Sequence, residues 1–140
     1  MGIVIDTGVF IAIERSSSNL NALRPILASM DPSDDALISS IALAELVHGI
    51  HRAKTPEQRV KRLEFVKEVI ASFAVTPFTQ QTAWIAGKVR GEQTKIGNTL
   101  PFQDSLIAAT ALEFDFSVLT LNLTDFERIP GIRVVRFTRP

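Results

Sequence analysis

The chain has 140 residues, 46% of them hydrophobic and 21% charged, which is enough for one packed core and too apolar for a disordered segment. Its 15 basic and 15 acidic side chains cancel, so nucleic-acid binding by bulk charge is disfavoured, although a cation-assisted site with a local basic rim is not. There is no cysteine, which excludes disulfides, thiolate catalysis and cysteine-ligated zinc, and the two histidines, His48 and His51, form no metal motif.

The elements are expected in this order. An apolar run, Gly2 to Ile5, reads as a buried parallel strand and ends on Asp6. In open α/β sheets ligands collect outside the carboxyl ends of strands, and a carboxylate there needs a positive partner. No Lys or Arg lies nearby in sequence, so a bound metal ion is a candidate. A short helix over Phe10 to Arg15 precedes the polar Ser16-Ser17-Ser18, and a second helix covers Leu20 to Met30. Asp31 to Asp35 is a turn, and Ala36 to Ser39 a strand. Two longer helices follow, Ile41 to Ala53 and Pro56 to Ser72, the latter with proline suited to its first position. A strand over Phe73 to Pro77, helices over Thr79 to Ile96 and Phe102 to Phe114, and strands over Ser117 to Thr120 and Ile132 to Phe137 complete the chain. This alternation implies crossover connections and a mostly parallel sheet with helices on both faces. No linker divides the chain, so one domain over residues 1–140 is expected. With no leader before Asp6 and no span long enough for a bilayer, it is expected to be soluble and cytoplasmic, without membrane contact.

Most carboxylates have polar surroundings, as in the turn or among the lysines and arginines of Pro56 to Ser72. Asp104 differs. Its helix is apolar all round and therefore buried, and Asp104 shares a stripe with the small Ala108 and Ala111. It is either a helix-start acid answering backbone N–H groups or, paired with Asp6, part of a site. Glu45 points away from the stripe Leu43, Leu46, Val47 and Ile50, so periodicity alone makes it a surface glutamate, although Ile41 on its side, with Ala42 and Gly49 at the margins, suggests a groove. His48 shares that side, as a carboxylate partner or an exposed residue. Asn122 follows its strand as Asp6 follows the first, with Asp125 one turn on; these are caps of a short helix or neighbours of Asp6.

Four blocks are similar to the motifs of the PIN-domain ribonucleases, and more narrowly to the VapC-type toxins of toxin–antitoxin pairs. They are Ile3 to Thr7, Ile38 to Leu46, Pro101 to Ala109 and Leu119 to Asn122, supported by Gly49 and the tail Asp125 to Gly131. The resemblance implies a three-layer α/β/α sandwich and an acidic quartet around Mg²⁺ or Mn²⁺. Asp6, Glu45 and Asp104 match the first three positions, and Asn122 stands at the fourth, where Asp is often found. Asp125 could supply the missing carboxylate, and Thr7 and Thr120 match hydroxyls that orient carboxylates or waters. The implied activity is metal-dependent endoribonuclease cleavage of structured RNA, transfer or ribosomal, leaving 5′-phosphate and 3′-hydroxyl ends. The implied partners are a cognate antitoxin, the RNA substrate and a second copy of the chain in a homodimer.

Arg15, Arg90 and Lys95 border the motif loops and are candidate phosphate contacts, with ordinary surface charge as the alternative. Phe65, Phe73 and Trp84 could serve either core or dimer interface. A non-catalytic PIN-like domain that binds RNA or protein, or a housekeeping RNA-processing nuclease, remain alternatives. A dehalogenase-like phosphatase would need an acid where Gly8 stands, and a receiver domain would need paired acids after the first strand and a late lysine.

Overall fold

A computed structural model describes residues 2–140, in which five strands form one parallel sheet of order β3-β2-β1-β4-β5. These are β1 (Ile3–Ile5), β2 (Ala36–Ser39), β3 (Ala74–Thr76), β4 (Ser117–Thr120) and β5 (Arg133–Arg136). The helices are α1 (Thr7–Arg15), α2 (Arg24–Ala28), α3 (Ser40–His51), α4 (Pro56–Ser72), α5 (Gln80–Lys95), α6 (Phe102–Phe114) and α7 (Leu123–Glu127).

Strand β1 is central and buried on both faces, as its unbroken Ile-Val-Ile run requires. Successive side chains point to opposite sides. Ile3 and Ile5 pack with Phe10, Ile13, Leu46, Val66 and Val69, under α1, α3 and α4. Val4 packs with Val89, Ile107, Ala111 and Phe126, under α5, α6 and α7. The arrangement is thus the expected three-layer sandwich. Every strand pairing is parallel.

The chain builds outward from β1 through β2 to β3, then returns and continues through β4 to β5 on the other side. The gap between β1 and β4 is therefore the topological switch point, where open α/β sheets form their ligand crevice. At the other end of β1, a Cβ on Gly2 would run into the Asp35 carbonyl and the Phe116 ring, so only glycine lets these segments approach.

Two expectations need correction. Leu20 to Met30 is not one helix: a 3-10 turn over Leu20–Leu23 precedes the short α2. Pro25 lies in the first turn of α2, where its missing N–H is harmless, whereas one helix through that point would lose an interior hydrogen bond. Val47, counted in the core stripe of α3, is exposed at 37%; Ala42, Leu46 and Ile50 form the buried line. The 5-residue helix α7 follows β4, as the short-helix reading has it, with Asn122 at its N-cap position but making no side-chain capping bond.

Candidate active site

Asp6 stands at the carboxyl end of β1, joined to β4 by its N–H, which donates to the Leu119 carbonyl at 2.9 Å. Its carboxylate accepts from the Thr7 backbone N–H and from the Thr120 hydroxyl, the latter at 2.8 Å on Oδ2. Burial raises its pKa, and these two hydrogen bonds only partly oppose that. Thr120 is fully buried and also accepts the Asn122 N–H at 2.9 Å, so one hydroxyl fixes both Asp6 and the loop after β4.

Glu45 lies in the second turn of α3, a helix started by Ser39, whose hydroxyl accepts the Ala42 N–H at 3.0 Å. It is half-buried, and the Thr7 hydroxyl donates to its Oε1 at 2.8 Å. The surface position expected from periodicity is therefore corrected. A helical wheel gives the direction of a side chain but not the neighbour that meets it, and here α1 supplies that neighbour. Burial raises the Glu45 pKa, and the charge of Asp6 raises it further.

Asp104 sits in the first turn of α6, and the helix cap, Pro101, makes no side-chain capping bond. The carboxyl of Asp104 is pushed up to about 7. Burial is the largest cause, followed by the charges of Asp6 and Asp125, a hydrogen bond with Asp125, and the charge of Glu45. Of the two readings of this residue, the helix-start acid would be stabilised as an anion; the actual surroundings oppose the anion. Asp6, Glu45, Asp104 and Asp125 thus share one field, with no cation among the causes acting on the three shifted groups.

Asn122 is exposed, and its Nδ2 donates to Asp125 Oδ2 at 2.7 Å. It faces Asp125, and Asp125 in turn reaches Asp104. His48 is exposed on α3. Among the described residues, no three acidic or imidazole side chains already stand together as a ready cation cage. The donor set nevertheless fits a hard divalent ion, which prefers carboxylate and water oxygens and would relieve the repulsion gathered on Asp104.

Residues 3–132 match the family model described as PIN domain. The chain belongs to the PIN-domain family. Within that family it is similar to the ribonuclease VapC of Rickettsia bellii, at 36% identity over 135 residues and 96% of each chain. It also resembles the tRNA(fMet)-specific endonuclease VapC of Salmonella typhimurium, at 37% identity over 97 residues, 69% of this chain and 71% of that one. The solved structure of DNA-bound VapBC from Salmonella typhimurium matches with a TM-score of 0.84 at 28% identity, over 99% of each chain. The PIN domain is here a VapC-type ribonuclease module, and among its described residues no helix is long and apolar enough to cross a membrane.

Of the other residues singled out from sequence, Arg90 lies over the Phe102 ring at 5.3 Å from its centroid, Lys95 is exposed in the last turn of α5, and Arg15 lines a groove beside Glu45. Phe73 is buried, 5.8 Å from Phe10 between ring centroids, Phe65 is half-buried and Trp84 is 72% exposed. Sequence reading missed Arg52 and Lys54, which share that groove. Their only sequence signal was a basic stretch between two helices, which is common on surfaces.

Proposed function

We propose that this VapC-type ribonuclease works as a Mg²⁺- or Mn²⁺-dependent endoribonuclease, the toxin of a toxin–antitoxin pair, with Asp6, Glu45, Asp104 and Asp125 as its acidic centre. The observation that carries the reading is that Asp6, Asp125 and Glu45 all act on Asp104 beside the β1/β4 switch point, with no cation among the causes of its shift. Asp6 and Asp104 would hold the ion directly, and Asp125 and Glu45 would complete the set. When bound, such an ion neutralises the scissile phosphate and makes a coordinated water more acidic.

The chain's own groups supply the rest. Thr120 fixes Oδ2 of Asp6, and Thr7 fixes Oε1 of Glu45, leaving Oε2 to accept a proton from an attacking water. Burial makes Glu45 more basic than an exposed carboxylate, which suits that role. Asn122 aligns Asp125 from outside.

An RNA substrate is supported by the relatives named as ribonucleases, and a transfer RNA, a structured RNA, is the first to test because one relative is named for tRNA(fMet). The likeness to VapBC, a toxin–antitoxin assembly, supports a cognate antitoxin and action in the cytoplasm. The exposed Trp84 on α5 supports a homodimer. The deciding experiment incubates the purified chain with tRNA(fMet) and Mg²⁺ or Mn²⁺. Cleavage that stops with chelator and is lost in Asp6→Asn is expected; full activity in that variant would overturn the assignment.

A further inference from the structure

A groove of about 580 Å³ runs between α1, α3 and α4 and opens at one end on Glu45 and on Gln103, the neighbour of Asp104. Its floor is apolar, with Leu46 and the half-buried Phe65. Its rim carries Arg15, Arg52, Lys54 and Arg62. Arg62 is committed to the walls: Nη1 donates to the Gly49 carbonyl at 2.7 Å, and Nε lies 3.9 Å from Glu14. Arg15, Arg52 and Lys54 are exposed, and among the described residues their side chains have no ion pair. In the lining Arg15, Arg52, Lys54 and Arg62 outnumber the acids Glu14 and Glu45, whereas along α4 cations alternate with Glu57, Glu64 and Glu68.

Glu45 and His48 on α3 and Arg52 at its C-terminal end line the groove, and the backbone positions of Glu45 and Arg52 lie ~10 Å apart along the helix. A polynucleotide with its scissile phosphate at the acidic centre must continue away from it, and this groove offers phosphate partners beside apolar surface for sugar and base. We propose that the groove seats the RNA strand next to the cut, with flanking phosphates on Arg15, Arg52 and Lys54. This rests on the nuclease reading above. An acidic peptide would share the charge preference, but continuity with the acidic centre favours the strand that has to pass through it.

Gly49 offers a clean perturbation. It lines the groove, and a Cβ there would meet nothing within 4 Å. A glutamate at this helical position adds charge to the groove without a clash and without loss of helix propensity.

The test uses the Asp104→Asn chain, so that RNA stays intact, and fluorescence anisotropy of labelled tRNA(fMet) across a salt series. Arg52→Ala/Lys54→Ala is expected to weaken binding roughly tenfold at low salt and to flatten the log–log salt slope by about 1.4, as for two lost single-strand phosphate contacts. Gly49→Glu is expected to give a similar loss of affinity, and Lys61→Ala/Lys67→Ala on α4 none. Unchanged affinity and slope in both groove variants would overturn the proposal. So would intact RNA binding with a weakened complex with the antitoxin, which would make the groove a peptide site. The chelator-sensitive cleavage assay on the unmodified chain judges the nuclease reading separately, so the two failures are distinguishable.

Discussion

Helix α6 carries a carboxylate near each end, and the fold treats them in opposite ways. Glu113, in the last turn, accepts the hydroxyl of the buried Thr82 at 2.6 Å, which ties α5 to α6. Asp104, in the first turn, has among the described residues no cation and no hydroxyl donor acting on it, and the hydrogen-bonding neighbour that shifts it is another acid, Asp125. The helix dipole should favour an anion at Asp104. Burial and three neighbouring carboxylates outweigh it and carry that group to about 7. The chain can satisfy a part-buried acid where structure alone is at stake. Leaving a cluster unsatisfied at the ligand crevice concentrates unfavourable free energy where a bound ion would remove it.

The comparison breaks most sharply under paired substitution. Asp104→Asn is expected to reduce RNA cleavage by roughly a hundredfold or more if Asp104 holds the ion as proposed, since such a group contributes several kcal/mol to the transition state. Glu113→Ala should leave the cleavage rate at saturating metal nearly unchanged and destabilise the fold by about 1 kcal/mol, the effect of losing one hydrogen bond while the Thr82 hydroxyl keeps Thr79 as a partner. Cleavage kinetics beside chemical denaturation read both. If the two variants lost activity equally, the division between the ends of α6 would be wrong.

Stability against pH sharpens it further. A carboxyl whose folded pKa exceeds its unfolded value favours folding fully below the unfolded value, and that contribution is lost as pH rises through the folded one. For Asp104 the window runs from its ordinary 3.8 to about 7, and the raised Asp6 and Glu45 act in the same direction. The metal-free chain should therefore lose stability across that window, and Asp104→Asn should melt higher than the parent at pH 7.5 but not near pH 4. Added Mg²⁺ should raise the melting temperature more at pH 8 than at pH 6, because protons and the ion compete for the same oxygens. Melting curves with chelator and with Mg²⁺ test both statements.

Much of this was legible before any coordinates. The Ile3-Val4-Ile5 run could only be a doubly covered strand, and the all-round apolar α6 could only be buried, so Asp6 and Asp104 stood out as acids in dry places. Glu45 was not legible in the same way: its own helix aims it off the core, and only the chain crossing from α1 brings Thr7 to it. The Arg52 and Lys54 rim was hidden for the same reason, because a groove belongs to three helices and no single periodicity contains it. Asn122 was legible in place but not in partner, since the turn into α7 decides which carboxylate its amide meets.

Thr120 and Asn122 give the smaller effects. Thr120→Val keeps the shape of a buried residue but removes the donor to Asp6 and the acceptor for the Asn122 N–H. About a 10–100-fold weaker apparent Mg²⁺ affinity is expected, as for other groups that orient a metal ligand, with cleavage largely restored at high Mg²⁺. For Asn122 the direction of the change matters more than its size. If its amide oxygen were a ligand, Asn122→Asp would tighten metal binding by adding a charge. Its Nδ2 donates to Asp125, so aspartate there would remove that donor and place a like charge beside Asp125, itself hydrogen-bonded to Asp104. Asn122→Asp should therefore raise the Mg²⁺ concentration needed for half-maximal cleavage a few-fold, and Asn122→Ala less. Titrating Mg²⁺ against initial rate decides it: tighter binding in Asn122→Asp would return the fourth position to residue 122.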